Sequence, residues 1–127
     1  MMTTLRFFLR AQDEPAWTNG DSTATKAVRR AWVALFERHR VSMVVSGHSH
    51  VYQRGSLNGV VYVVCGGGGG ALDTHRIGES IYSFTANVHH YALIRAAHAT
   101  ALEWRVYDDG DEEIDAVTID AKQRGKV

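Results

Sequence analysis

The sequence predicts an α/β fold that acquires α+β character towards its C-terminus. Three stretches carry this reading: an amphipathic helical segment over 22–40, the apolar run "VSMVVS" that it feeds, and the alternating "ALEWRVY" near the end. At 127 residues, 45% hydrophobic and 22% charged, the chain is long enough to bury a core and reads as one globular unit with a tail over 121–127.

The elements follow in order. "LRFFL" is a candidate strand, and the turn-rich "DEPAWTNGD" after it is punctuated by Pro15 and the pair Asn19 and Gly20. In the helical segment Ala27, Val28, Ala31, Trp32, Leu35 and Phe36 recur at helical spacing, with Lys26, Arg29, Arg30, Glu37 and Arg38 on other faces. Asp21, Ser22 or Thr23 can cap its start. "VSMVVS" shows little alternation, as a strand buried on both faces does. "VYQRGSL", a turn at Asn58 and Gly59, and "VVYVVCG" form a hairpin pattern. Five glycines, Gly66 to Gly70, leave that strand, and Ala71 to Val88 is read as loop with room for a short helix. "HHYALIRAA", "ALEWRVY" and "EEIDAVTI" then read as antiparallel strands, in the second of which Leu102, Trp104 and Val106 alternate with Glu103 and Arg105.

Charge and cysteine usage remove several functions. Fourteen basic residues balance fourteen acidic ones, so no global field favours nucleic acid or an anionic membrane as partner. The single cysteine, Cys65, cannot form an internal disulfide. The first residues lack a signal-peptide cleavage pattern, and no apolar run reaches membrane-spanning length. Localisation is left open.

Chemistry concentrates in "SGHSHVYQRG". Residues two apart in an extended segment share a face, so His48 and His50 can present imidazoles to one metal or to two adjacent ones. On chemistry alone the pair fits surface or hydrogen-bonded histidines as well as it fits metal ligands. Gly47 frees the backbone where the strand ends, and sites collect at the carboxyl ends of strands in open α/β sheets. Tyr52 and Arg54 could reach a phosphate ester, Arg54 by a bidentate fork. His39, His75, His89, His90 and His98 have no ligand-like sequence partners and default to surface or core positions.

The string "VSMVVSGHSHVYQR", with the preceding "AVRRAWVALFERHR" and the following "GVVYVVCGGGGGAL", resembles the C-terminal half of calcineurin-like metallophosphoesterases, most closely their purple acid phosphatase branch. The resemblance spans about residues 7 to 120 and is strongest in G-H-x-H followed by an aromatic and a basic residue. It implies half of a four-layer αββα sandwich, and so a partial domain over 1–127. It implies phosphoester hydrolysis at a centre of two Fe, Zn or Mn ions, with His48 and His50 on different metals and a phosphoester as substrate. The departures are specific. The upstream D-x-H, G-D and Asn-His motifs are absent in order, and Asp13 stands where an H-x-P ligand histidine is expected; its carboxylate can ligate zinc, iron or manganese, and fits a solvated loop position as well. Gln53 replaces a glutamate often found after the aromatic. "DTH" at Asp73 to His75 follows G-H-x-H and is read as chance, "GDEEID" as an acidic hairpin turn, and the glycine run as structural. A competing reading is a non-catalytic remnant or interaction module without a complete centre. A missing first half would deprive "VSMVVS" of a neighbour, which predicts self-association or a longer gene product.

Overall fold

In the computed structural model, residues 7–9, 23–73 and 81–120 are described. Among the described residues nine elements follow one another: β1 (Phe7–Leu9), α1 (Thr23–Arg38), β2 (Met43–Ser46), β3 (Tyr52–Leu57), β4 (Val60–Cys65), β5 (Tyr82–Ala86), β6 (His90–His98), β7 (Ala101–Asp108) and β8 (Glu113–Asp120). They build one five-stranded sheet, ordered β1-β2-β4-β3-β5, and one three-stranded sheet, ordered β6-β7-β8. The first is mixed, with β1, β2 and β4 parallel and β3 antiparallel to both β4 and β5. The second is antiparallel throughout. The α/β reading with a late α+β character holds.

Local sequence explains the joints. Helix α1 stops where Arg40 takes a left-handed φ of 51° and the amide of Val41 reaches back to the carbonyl of Phe36 at 2.9 Å, a Schellman-type closure. Asn58 and Gly59, at φ 49° and 79°, make the two-residue turn that matches strand twist, and Leu57 pairs with Val60 across it. At the β7–β8 turn, Asp108 Oδ1 accepts from the amides of Gly110 and Glu112, each at 2.9 Å. Of "GDEEID", read as an acidic hairpin turn, only the first residues turn; Glu113 to Asp115 already belong to β8.

Strand parity sorts the core into two layers. Val44, Val60, Tyr62 and Val64 face α1, where Phe36 is buried and Trp32 stacks on it at 6.0 Å between centroids. Met43, Val45, Tyr52 and Val63 face the second sheet and meet Trp104, Val106 and Ile119. The order is therefore helix, mixed sheet, antiparallel sheet, with hydrophobic burial of about 1.5–3 kcal/mol per large side chain holding the layers together. No helix among the described residues is long and apolar enough to cross a membrane.

Two expectations need correction. Strand β2 has not lost a neighbour: β1 pairs with it on one side and β4 on the other, and all four of its residues are buried. The segment over 71–88 contains a strand, β5, and no helix among its described residues. Its reason is packing. Phe84 reaches across to Tyr52 at 5.9 Å, and Tyr82 is buried in the helix-side core, so "YSFTA" gains more as the edge neighbour of β3 than as loop.

Candidate functional site

Strands β2 and β4 run parallel and end at the same edge of the mixed sheet, and the segment Gly47–His50 leaves β2 at that edge. The glycine run leaves β4 beside it. Each element positions the other: the amide of Gly66 donates to the carbonyl of Val51 at 3.2 Å, and a Cβ on Gly66 would fall 1.9 Å from the carbonyl oxygen of Ser49. Only glycine permits that approach. The run serves as a close-packed turn, as read, and no helix begins after it among the described residues.

The two histidines differ. His48 is exposed and holds φ at 74°, a region that non-glycine residues occupy at a cost and that clusters at functional sites. His50 is half-buried and held on three sides. Its amide donates to Asp73 Oδ2 at 2.7 Å, its carbonyl accepts from the amide of Asp73 at 3.0 Å, and its ring Nδ1 meets the carbonyl of Ala71 at 2.6 Å. Both precede β3, in a bend rather than in an extended strand, so the shared-face spacing of a strand is not what relates them.

A carbonyl only accepts, so Nδ1 of His50 carries the proton and, in the neutral ring, Nε2 keeps its lone pair. That donor arrangement suits a metal-ligating histidine, whose second nitrogen is ordinarily tied to a carbonyl or carboxylate. The fit extends to a metal-holding segment and stops there. Among the described residues no group of three or more His, Cys, Asp or Glu side chains comes together to hold a metal. Asp13 and His75 lie outside the described residues.

Tyr52 and Arg54 are engaged elsewhere. Arg54 closes its fork on Asp115, Nε to Oδ2 at 2.5 Å and Nη2 to Oδ1 at 2.9 Å. The fully buried Tyr52 donates to the same carboxylate at 2.6 Å and accepts from Trp104 Nε1 at 3.1 Å. These four side chains join β3 to β7 and β8 and clamp the two sheets. Burial, with Asp115 beside it, holds the Tyr52 phenol far above its ordinary pKa, so it remains a donor. Burial also works against the charged form of Asp115, but the hydrogen bonds from Arg54 and Tyr52 outweigh it and keep that carboxyl below its usual value. Gln53 is buried and donates to Thr85 Oγ1 at 3.2 Å.

Histidines read only as surface or core residues reach the same loop. His90 packs edge-on against Tyr52 at 5.4 Å, its Nδ1 donates to the carbonyl of Val88 at 2.8 Å, and its Nε2 accepts from the amide of Gly67 at 3.4 Å. Burial lowers its pKa, which keeps the ring neutral in this role. His89 Nε2 donates to the carbonyl of Gly70 at 2.9 Å. Asp73, read as part of a chance motif, is the residue that returns the loop to His50. The "HH" pair preceding an alternating strand was the one available signal, and nothing local ties it to a glycine run about twenty residues upstream.

No family model matches the chain, and no curated protein matches it by sequence. Solved structures do match by shape. A purple acid phosphatase from yellow lupin (Lupinus luteus) seeds overlays with a TM-score of 0.69 at 21% identity, over 91% of this chain and 25% of its own. GAP50, the anchor in the inner membrane complex of Plasmodium, overlays at 0.74 with 15% identity, over 94% of this chain and 41% of its own. Vps29 from Entamoeba histolytica in complex with zinc reaches only 0.45, at 17% identity over 83% of this chain and 51% of its own. The fold is therefore that of a calcineurin-like metallophosphoesterase, in part. The chain spans about a quarter of the phosphatase chain and two fifths of the GAP50 chain.

Proposed function

We propose that Gly47–His50 is the metal-holding arm of a phosphoester-hydrolysing centre, with His48 and His50 as neutral imidazole ligands to two different ions of iron, zinc or manganese. The observation that carries it is the hydrogen bond from His50 Nδ1 to Ala71, which leaves the Nε2 lone pair without a partner among the described residues, at the sheet edge where such sites form. The strained backbone at His48 supports it. Such ions, when bound, supply Lewis acidity towards the ester and acidify water. The chain's part is to present both imidazoles at this edge, with His50 fixed through Ala71 and Asp73; Asp13 is the further oxygen donor this reading offers, and a complete centre requires ligands beyond these three. Tyr52 and Arg54 act by fixing β3, and with it the exit of the loop, rather than by meeting a phosphate.

A second reading is a fold retained without catalysis. GAP50, of the same fold, is named an anchor. The experiment separates the two. Untagged protein is compared with a His48→Ala/His50→Ala double variant by elemental analysis, and both are assayed with p-nitrophenyl phosphate. The proposal expects bound iron, zinc or manganese in the parent and background levels in the variant, with little turnover by the 127-residue chain alone. Equal metal content in both refutes the metal reading, and brisk metal-dependent hydrolysis refutes the incomplete centre.

A further inference from the structure

We propose that the loop Gly70–Asp73, pinned by His89 from just ahead of β6, sets the tautomer of His50 and thereby decides which of its nitrogens can take a metal. The inference rests on the metal reading of His50 for its use, but not for its test. Two consecutive carbonyls of the loop are each engaged by a histidine: Gly70 by His89 Nε2 at 2.9 Å and Ala71 by His50 Nδ1 at 2.6 Å. A peptide plane that holds a hydrogen bond on its oxygen resists rotation, and the plane carrying the Gly70 carbonyl adjoins the one that carries that of Ala71. Asp73 closes the far end through two bonds to the main chain of His50, at 2.7 and 3.0 Å. Gly70 lets the loop come this near, since a Cβ there would stand 2.5 Å from Cε1 of His50.

Each contact alone is partly open to water, and a single exposed hydrogen bond would leave a neutral imidazole sampling both tautomers. Fixing the acceptor at both ends of a four-residue loop is what selects one. His89 and Asp73 are therefore positioning residues: neither need touch a metal or a substrate, and both act through the Ala71 carbonyl. Nothing in the local sequence around His50 specifies this, because the parts come from three separate segments.

The test uses the full 127-residue chain without metal. Long-range proton–nitrogen correlation spectra of the imidazoles report which nitrogen of His50 is protonated, in the parent and in Asp73→Ala, His89→Ala and the conservative His89→Gln, whose amide nitrogen can replace the Nε2 donor. Far-UV circular dichroism checks that each variant keeps its fold. Zinc affinity is then measured by titration calorimetry. The expected result is a His50 proton on Nδ1 in the parent and in His89→Gln, and mixed tautomers in the two alanine variants. Zinc binding in the alanine variants should be weaker by about 10- to 100-fold, as loss of a partner behind a ligating histidine typically gives. A parent His50 protonated on Nε2, or alanine variants with unchanged tautomer, overturns the inference. If the parent binds zinc no better than the His48→Ala/His50→Ala variant, the metal reading falls, while the tautomer spectra still decide the role of the loop.

Discussion

Replacing Tyr52 by Phe removes one oxygen and tests the clamp between the sheets. The phenyl ring keeps the same burial against Phe84 and His90, so the hydrophobic contribution is nearly unchanged. Two polar partners are lost. The Asp115 carboxylate loses a donor at 2.6 Å, and a hydrogen bond to a charged group contributes about 1.5–3 kcal/mol. Trp104, 2% exposed, loses its only acceptor in this network, and a buried orphaned N–H costs about 1–3 kcal/mol. Because both losses arise from one atom they do not simply add, and about 2–4 kcal/mol is the expected destabilisation. For a chain of this size, about 3–5 °C in Tm accompanies each kcal/mol, which gives roughly 6–20 °C. Urea unfolding followed by tryptophan fluorescence measures it, and a double-mutant cycle with Asp115→Asn should return a coupling of at least about 1 kcal/mol. A loss below about 0.5 kcal/mol, or no coupling, would show that the phenol is effectively solvated and that the clamp does not hold the sheets.

Acid should weaken the same clamp with a definite sign. The Asp115 carboxyl is depressed in the fold, so its stabilisation is present above the unfolded value of about 3.9 and disappears as pH falls through the lower folded value. Urea midpoints between about pH 6 and 2 should drop most steeply below about pH 4, and Asp115→Asn should flatten that part of the curve; a parallel profile in the variant would argue against it. Cys65 makes a separate prediction: burial pushes its thiol from 9.0 up to about 11, so near pH 8 it holds about 100-fold less thiolate than an ordinary cysteine. Iodoacetamide should label it correspondingly slowly in the folded chain and readily in urea, and equal rates in the two states would refute the burial argument.

Much of the fold could be read because its signals are local. Helix α1 was legible from the spacing of Trp32, Leu35 and Phe36, the β3–β4 hairpin from Asn58 and Gly59, and β7 from the alternation around Trp104. Strand β5 was not, although Tyr82 and Phe84 alternate with Ser83, because five residues beside an unpatterned stretch give too short a period and its stability comes from β3. The site divides in the same way. His48 and His50 stand out in the sequence, whereas Asp73, His89 and His90 join them only through main-chain contacts, which no side-chain pattern encodes. Arg54 was legible as a fork but not as one already filled: its partner Asp115 lies 61 residues away, in a stretch that reads as an ordinary acidic strand.

His90 opens the second sheet yet touches both Gly67 and Tyr52, so the loop beside the two histidines is fastened to the start of β6 as well as to β4. This limits how the arm can be transplanted. A peptide carrying only Gly47–His50 would bring the two imidazoles without the groups that hold them, and a graft onto another scaffold would have to reproduce three separated pieces, 47–52, 66–73 and 88–90, at fixed distances. The smallest portable unit of this chain is accordingly a junction between two sheets rather than a motif.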